Sequence, residues 1–182
     1  MRLILILAAL LLTGCASAPR GLNPITVVDE LSMERYDGQW YVIANIPYFF
    51  ERDNVAPRVV FRERDDGRFD DLYFYRKKFG GEEKTMEGVA WVPDDAQPGR
   101  LKTRFVWPFT FDYLVIKLDP EYRYVAIAHP SRKYGWIMAR EAQMPDAVYQ
   151  EYLQAFALQG YATDKLLKIP QLPQQLGQEG FQ

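Results

Sequence analysis

Cys15 is the only thiol in the chain and His129 the only imidazole. One cysteine cannot form an intramolecular disulfide, and the pair cannot supply the ligand set of a Cys/His zinc site. Any nucleophilic site that uses a second histidine is equally out of reach. His129 stands in Ala128-His129-Pro130, beside a turn, and reads as a solvated loop residue rather than a haem ligand. The acidic pairs Asp65-Asp66, Glu82-Glu83 and Asp94-Asp95 also coincide with turns. General acid–base work needs carboxyls tuned by burial, so these read as surface charge. Nothing nominates a catalytic centre. The expectation is a protein that is not an enzyme, with no metal and no cofactor.

The chain opens with Met1-Arg2, continues through ten apolar residues, Leu3 to Leu12, and reaches Cys15 by way of Thr13-Gly14. A basic start, a short apolar stretch and small residues describe a secretory signal peptide. As a helix those ten residues rise about 15 Å, half of a hydrocarbon core, which is too short to span. Leu12-Thr13-Gly14-Cys15 resembles the lipobox of bacterial lipoproteins. The resemblance implies removal of residues 1–14 and diacylglycerol on the Cys15 sulfur, and several acyl chains make such attachment durable. Residues 15–30, with Ala18-Pro19-Arg20-Gly21 and Asn23-Pro24, have tether composition. Ala16 rather than aspartate after the cysteine resembles outer-membrane sorting.

The remaining residues, 31–182, suffice for one domain with a sizeable core: 48% of the 182-residue chain is hydrophobic and 15% aromatic. A formal net charge of −2 argues against a nucleic-acid partner, which would call for a basic face. From Gln39 onward apolar-aromatic runs alternate with turn residues. The runs are Trp40–Ile46, Arg58–Arg64, Phe69–Lys77, Lys84–Val92, Arg100–Trp107, Phe111–Leu118, Tyr122–Ala128 and Trp136–Arg140. Eight strands joined by short loops predict an all-β, antiparallel up-and-down barrel, whose closure removes exposed edges. A single helix breaks the pattern at about 145–158. There Val148, Tyr149, Tyr152, Leu153 and Phe156 share one face, with Pro145 and Asp146 in the first turn and Gly160 past the end. Packed outside the barrel, it completes the expected architecture.

Three ordered motifs resemble the lipocalin family. Gly38-Gln39-Trp40 matches its Gly-x-Trp signature, continuing through Val42-Ile43-Ala44-Asn45-Ile46-Pro47 to Phe49-Phe50-Glu51 much as in bacterial members. Leu118-Asp119-Pro120-Glu121-Tyr122-Arg123-Tyr124 resembles the second motif, between the sixth and seventh strands. Trp136-Ile137-Met138-Ala139-Arg140 resembles the third, and Met144 to Gln171 the C-terminal segment of the bacterial lipoproteins. The resemblance spans roughly Met33 to Gln171. It implies a barrel floor of Gly38, Trp40 and Arg140, the guanidinium stacked on the indole for about 0.5–2 kcal/mol. That pair reads as structural.

Residues two apart in a strand share a face, so Trp136, Met138 and Arg140 should point one way, as should Trp40, Val42, Ala44 and Ile46. Alternation and the family pattern give Thr103, Phe105, Tyr113, Val115, Trp136 and Met138 as cavity candidates. In Phe69–Lys77 both faces are apolar, and the inward set is open. The resemblance implies an apolar ligand such as a fatty acid or lysophospholipid, carried or stored at the outer membrane, in envelope maintenance or stress. A structural envelope lipoprotein and a tetrapyrrole or haem binder are the alternatives, and a homodimer stays open.

Overall fold

The structure is a computed structural model and describes residues 23–182; Cys15 and the expected signal peptide lie outside them. Eight antiparallel strands follow one another around a barrel: β1 (Gly38–Ile46), β2 (Val55–Glu63), β3 (Phe69–Arg76), β4 (Lys84–Trp91), β5 (Arg100–Val106), β6 (Phe109–Leu118), β7 (Tyr124–Ala128) and β8 (Gly135–Ala139). Each pairs with the next. β1 closes the ring by pairing with β2 through Gly38–Tyr41 and with β8 through Tyr41–Ile46. A two-residue strand, β9 (Leu167–Lys168), adds to β1, beyond the eight strands expected.

A short helix, α1 (Met33–Tyr36), precedes the barrel, with Arg35 N donating to Ser32 Oγ at its start. The one long helix, α2 (Asp146–Leu158), buries Tyr149, Tyr152 and Phe156 against the outer wall. Their neighbours there include Ala44, Leu114, Ala126, Ala128 and Ile137. Gly135 makes the close approach possible: a Cβ there would stand 2.7 Å from Phe156 Cε1. The Tyr149 hydroxyl donates to Leu166 O and the Tyr152 hydroxyl to Tyr124 O. No buried phenol in this interface is thereby left unpaired.

Alternation along β1 fails at one place, with a local cause. The register against β8 slips between Val42 and Ala44, so Ile43 is an extra residue. Such a bulge turns the following side chains to the opposite face. Trp40 and Val42 point into the barrel, but Ala44 and Ile46 join the cluster under α2. The C-terminal segment binds the backbone carbonyls of the bulge. Gln171 Nε2 donates to Val42 O at 2.8 Å and Ile169 N to Ile43 O at 2.8 Å.

The segment before α1 also departs from expectation. Residues 15–30 read as a tether, yet Ile25 is buried, Arg100 donates to Ile25 O, and Val28 N donates to Val115 O. From Ile25 onward this stretch lies against the barrel, because an isoleucine and two valines give it apolar surface to bury.

A candidate ligand cavity with a sealed floor

Gly38 begins the floor in a left-handed conformation, φ +90°, and a Cβ there would crowd Arg140 Nη1 at 3.3 Å. Two residues on, Trp40 is fully buried and donates from Nε1 to Tyr36 O at 2.8 Å. The Arg140 guanidinium lies over the indole, 3.9 Å from the ring centroid. Its remaining donors reach Gln39 O, Arg35 O and Tyr122 O, which joins α1, β1 and the β6–β7 turn. Only a planar fork can stack and bridge in this way. The turn itself is held by Asp119, whose carboxylate accepts from Glu121 N, Arg123 N and the Arg123 guanidinium. Above the indole, Tyr36, Phe61, Leu101, Val115 and Val125 fill the closed end.

Higher up, the packing opens into a lumen. Its walls are Val42 from β1, Val59 from β2, Asp71 and Tyr73 from β3, Met86 from β4, Thr103 and Phe105 from β5, Phe111 and Tyr113 from β6, and Trp136 and Met138 from β8. Tyr48, Phe50 and Glu51, in the loop after β1, complete the wall at the mouth. The lumen is narrow: about 100 Å³ of it is open to the centre of a water-sized molecule. The mouth is an aromatic cluster in which the Tyr48 ring lies 4.0 Å from Tyr134, 5.4 Å from Trp136 and 5.7 Å from Phe111.

Of the six cavity candidates, the structure brings five to this lumen: Thr103, Phe105, Tyr113, Trp136 and Met138. Val115 is not on its surface. It faces inward but sits one step nearer the floor, fully buried with Tyr36 and Trp40, so it fills the core there. His129 is also corrected. It is half-buried rather than solvated, with its ring Nδ1 2.8 Å from Ser131 Oγ, its backbone N–H donating to the Tyr161 hydroxyl, and its ring edge-on to Tyr134. Burial lowers its pKa from the ordinary histidine value, and it does not line the lumen.

Among the wall residues outside the six candidates are two buried carboxyls. Glu51 is 5% exposed and accepts from Tyr48 N at 2.8 Å and from Trp136 Nε1 at 2.9 Å. Asp71 is 4% exposed and accepts from Thr103 Oγ1 at 2.6 Å. Desolvation disfavours their charged forms. It pushes Glu51 up to about 7 and Asp71 up to about 6, against the hydrogen bonds that hold each one down. Alternation offered one signal for Asp71, since Phe69, Asp71 and Tyr73 form one face of β3 and all three are buried. Because Leu72 and Phe74 made the other face equally apolar, that signal could not be read.

A sealed floor, an apolar shaft and an open aromatic mouth can admit one elongated apolar molecule. Such eight-stranded barrels have an interior of the right width for a small ligand. The chain is 34% identical to the outer membrane lipoprotein Blc of Escherichia coli K12 over 166 residues, 90% of this chain and 92% of that one. It is 29% identical to the outer membrane lipoprotein Blc of Vibrio cholerae, over 93% and 98% of the two chains. With temperature-induced lipocalin-1 of Arabidopsis thaliana it shares 35% identity over 80% of its length and 82% of the relative's. Among solved structures, insecticyanin from the tobacco hornworm Manduca sexta superposes with a TM-score of 0.67 at 16% identity, over 84% of this chain and 87% of that one. Lobster apocrustacyanin A1 does so with 0.63 at 15% identity, over 87% and 95%. Both show the fold alone. The model of the lipocalin-like domain matches residues 31–171, the barrel and helix just described, and the chain belongs to that family.

Proposed function

We propose that this protein is a lipid-anchored outer-membrane lipocalin that binds a single-chain lipid in its lumen and stores or moves it within the envelope. The observation that carries the reading is the lumen itself, lined mainly by apolar and aromatic side chains above a packed floor. A fatty acid or lysophospholipid suits it, because each methylene that enters contributes about 0.8 kcal/mol before ordering costs. The outer-membrane lipoproteins among its relatives support the location, and Cys15 in Leu12-Thr13-Gly14-Cys15 supports the anchor.

Organic-solvent extraction of the protein purified from its native membrane, followed by mass spectrometry, tests the proposal. The expected result is about one single-chain lipid per protein chain. A coloured tetrapyrrole in the extract would replace this ligand class with a planar one. A protein that yields nothing and takes up no lipid on titration would leave the barrel a structural element.

A further inference from the structure

Asp71 is a buried carboxyl on the wall of the lumen. It projects from β3 between Phe69 and Tyr73, opposite Phe61 of β2 and Gly88 of β4. The Phe61 ring meets Tyr36 and Tyr113, whose hydroxyls lie 3.0 Å apart. Asp71 therefore stands at the level of this hydroxyl pair, at the closed end. Thr103 supplies the one hydrogen bond that Asp71 receives, to Oδ2; Oδ1 has no hydrogen-bond partner among the described residues. Nearer the mouth, Glu51 is the second buried acceptor on the wall. No lysine, arginine or histidine lines this lumen among the described residues. Asp112, a third carboxylate at its edge, is already paired with Lys102 at 2.6 Å.

A buried carboxyl without a counter-charge is costly, and a simple apolar shaft would use none. Asp71 keeps one carboxylate oxygen without a donor among the described residues, which suits a hydrogen-bond donor on a molecule that enters the lumen. We propose that the closed end binds the hydrogen-bond-donating end of an amphiphile, best a protonated long-chain amine, with Asp71 as the acceptor and the alkyl chain running outward past Phe105 and Trp136. This rests on the proposed lipid-binding lumen and ranks its single-chain ligands by head group, an amine bound head-in above a fatty acid or lysophospholipid bound tail-in. A long-chain carboxylate fits worse in both orientations. Head-in, it brings two negative charges together; tail-in, it lays its methyl end against Asp71. A neutral alcohol falls between, since it donates one hydrogen bond and carries no charge.

Equilibrium titration of the full-length protein with dodecylamine, dodecanol and dodecanoate near neutral pH tests the proposal, read by displacement of a fluorescent fatty-acid probe. Dodecylamine is expected to bind tighter than dodecanoate by about ten-fold or more, the scale of a hydrogen bond to a charged group. The net negative chain attracts any amine weakly, so the variants carry the decision. Asp71→Asn, similar in shape and still folded by thermal unfolding, should abolish the preference for the amine. Asp71→Leu should reverse it by extending the apolar wall to the closed end. Equal or tighter binding of dodecanoate, or a preference that survives Asp71→Asn, overturns the proposal. If all three compounds bind alike, the lipid-binding lumen stands and the head-group assignment falls. If none binds, both fall.

Discussion

The indole N–H of Trp136 donates to Glu51 Oε1 at 2.9 Å, tying the loop that follows β1 to the wall of β8. The other carboxylate oxygen takes the Tyr48 backbone N–H at 2.8 Å, so one side chain organises the mouth from within. That Glu51 does this while buried gives the mouth a protonation state near neutrality, up to about 7.

Stability should therefore rise as pH falls from about 8 to about 5. Desolvation lifts Glu51 to about 7 and Asp71 to about 6, above the values that both have in an unfolded chain. In that window the folded state holds more protons than the unfolded state, so raising the pH costs stability. The penalty is on the order of 3 kcal/mol for each carboxyl and is complete above its folded pKa. Urea titrations across this range should show it. The double variant Glu51→Gln, Asp71→Asn should flatten the profile, and an unchanged slope would mean that neither group is desolvated.

The barrel floor should respond as a coupled unit. Trp40→Ala removes a fully buried indole and should cost about 3–5 kcal/mol. Arg140→Ala should cost less, because the guanidinium is only half-buried and water can reach the carbonyls that it leaves. Contact at 3.9 Å predicts a coupling of about 0.5–3 kcal/mol in a double-mutant cycle by denaturant unfolding. Additive effects would contradict the stacking.

Gly135→Ala should overpack the seam between β8 and α2. Its new methyl carbon would meet Phe156 Cε1 at 2.7 Å, which predicts a loss of about 1–3 kcal/mol. Adding Phe156→Leu should recover part of that loss, seen as a smaller effect of the glycine change in the leucine background. A Gly135→Ala protein as stable as the parent would place the helix farther from the wall.

Cys15→Ser should leave the protein unprocessed or soluble, and absent from the outer-membrane fraction. Labelled palmitate and membrane fractionation read this directly. A serine variant that still incorporates label and sediments with the membrane would show that the anchor lies elsewhere.

The eight barrel strands, their closure and the outer helix were legible because apolar-aromatic runs are separated by turn signals and each helical turn repeats its apolar face. The floor was legible because Gly38, Trp40 and Arg140 stand at fixed places in ordered motifs. Legibility ended where one residue altered the local geometry. Ile43 bulges out of β1 and turns Ala44 and Ile46 away from the lumen, which no residue type in Trp40–Ile46 announces. Depth was equally hidden: Val115 and Tyr113 share a face, but only Tyr113 reaches the space above the packed floor. Glu51 stood in the Phe49-Phe50-Glu51 run of the first motif, and Asp71 in Phe69–Lys77, where the inward face stayed open. Their burial depends on strands that are distant in sequence, Trp136 for the first and Thr103 for the second.

The central claim, that the lumen holds an extended lipid chain, is tested most directly by a homologous series. Single-chain lipids with one head group and increasing chain length should be titrated against the full-length protein, with the Phe105→Asp variant alongside. Affinity should climb with each added methylene, by up to about 0.8 kcal/mol, and level off once the lumen is full. Phe105→Asp, folded but with a carboxylate on the wall, should bind weakly at neutral pH. Affinity independent of chain length, unchanged in folded Phe105→Asp protein, would contradict the claim.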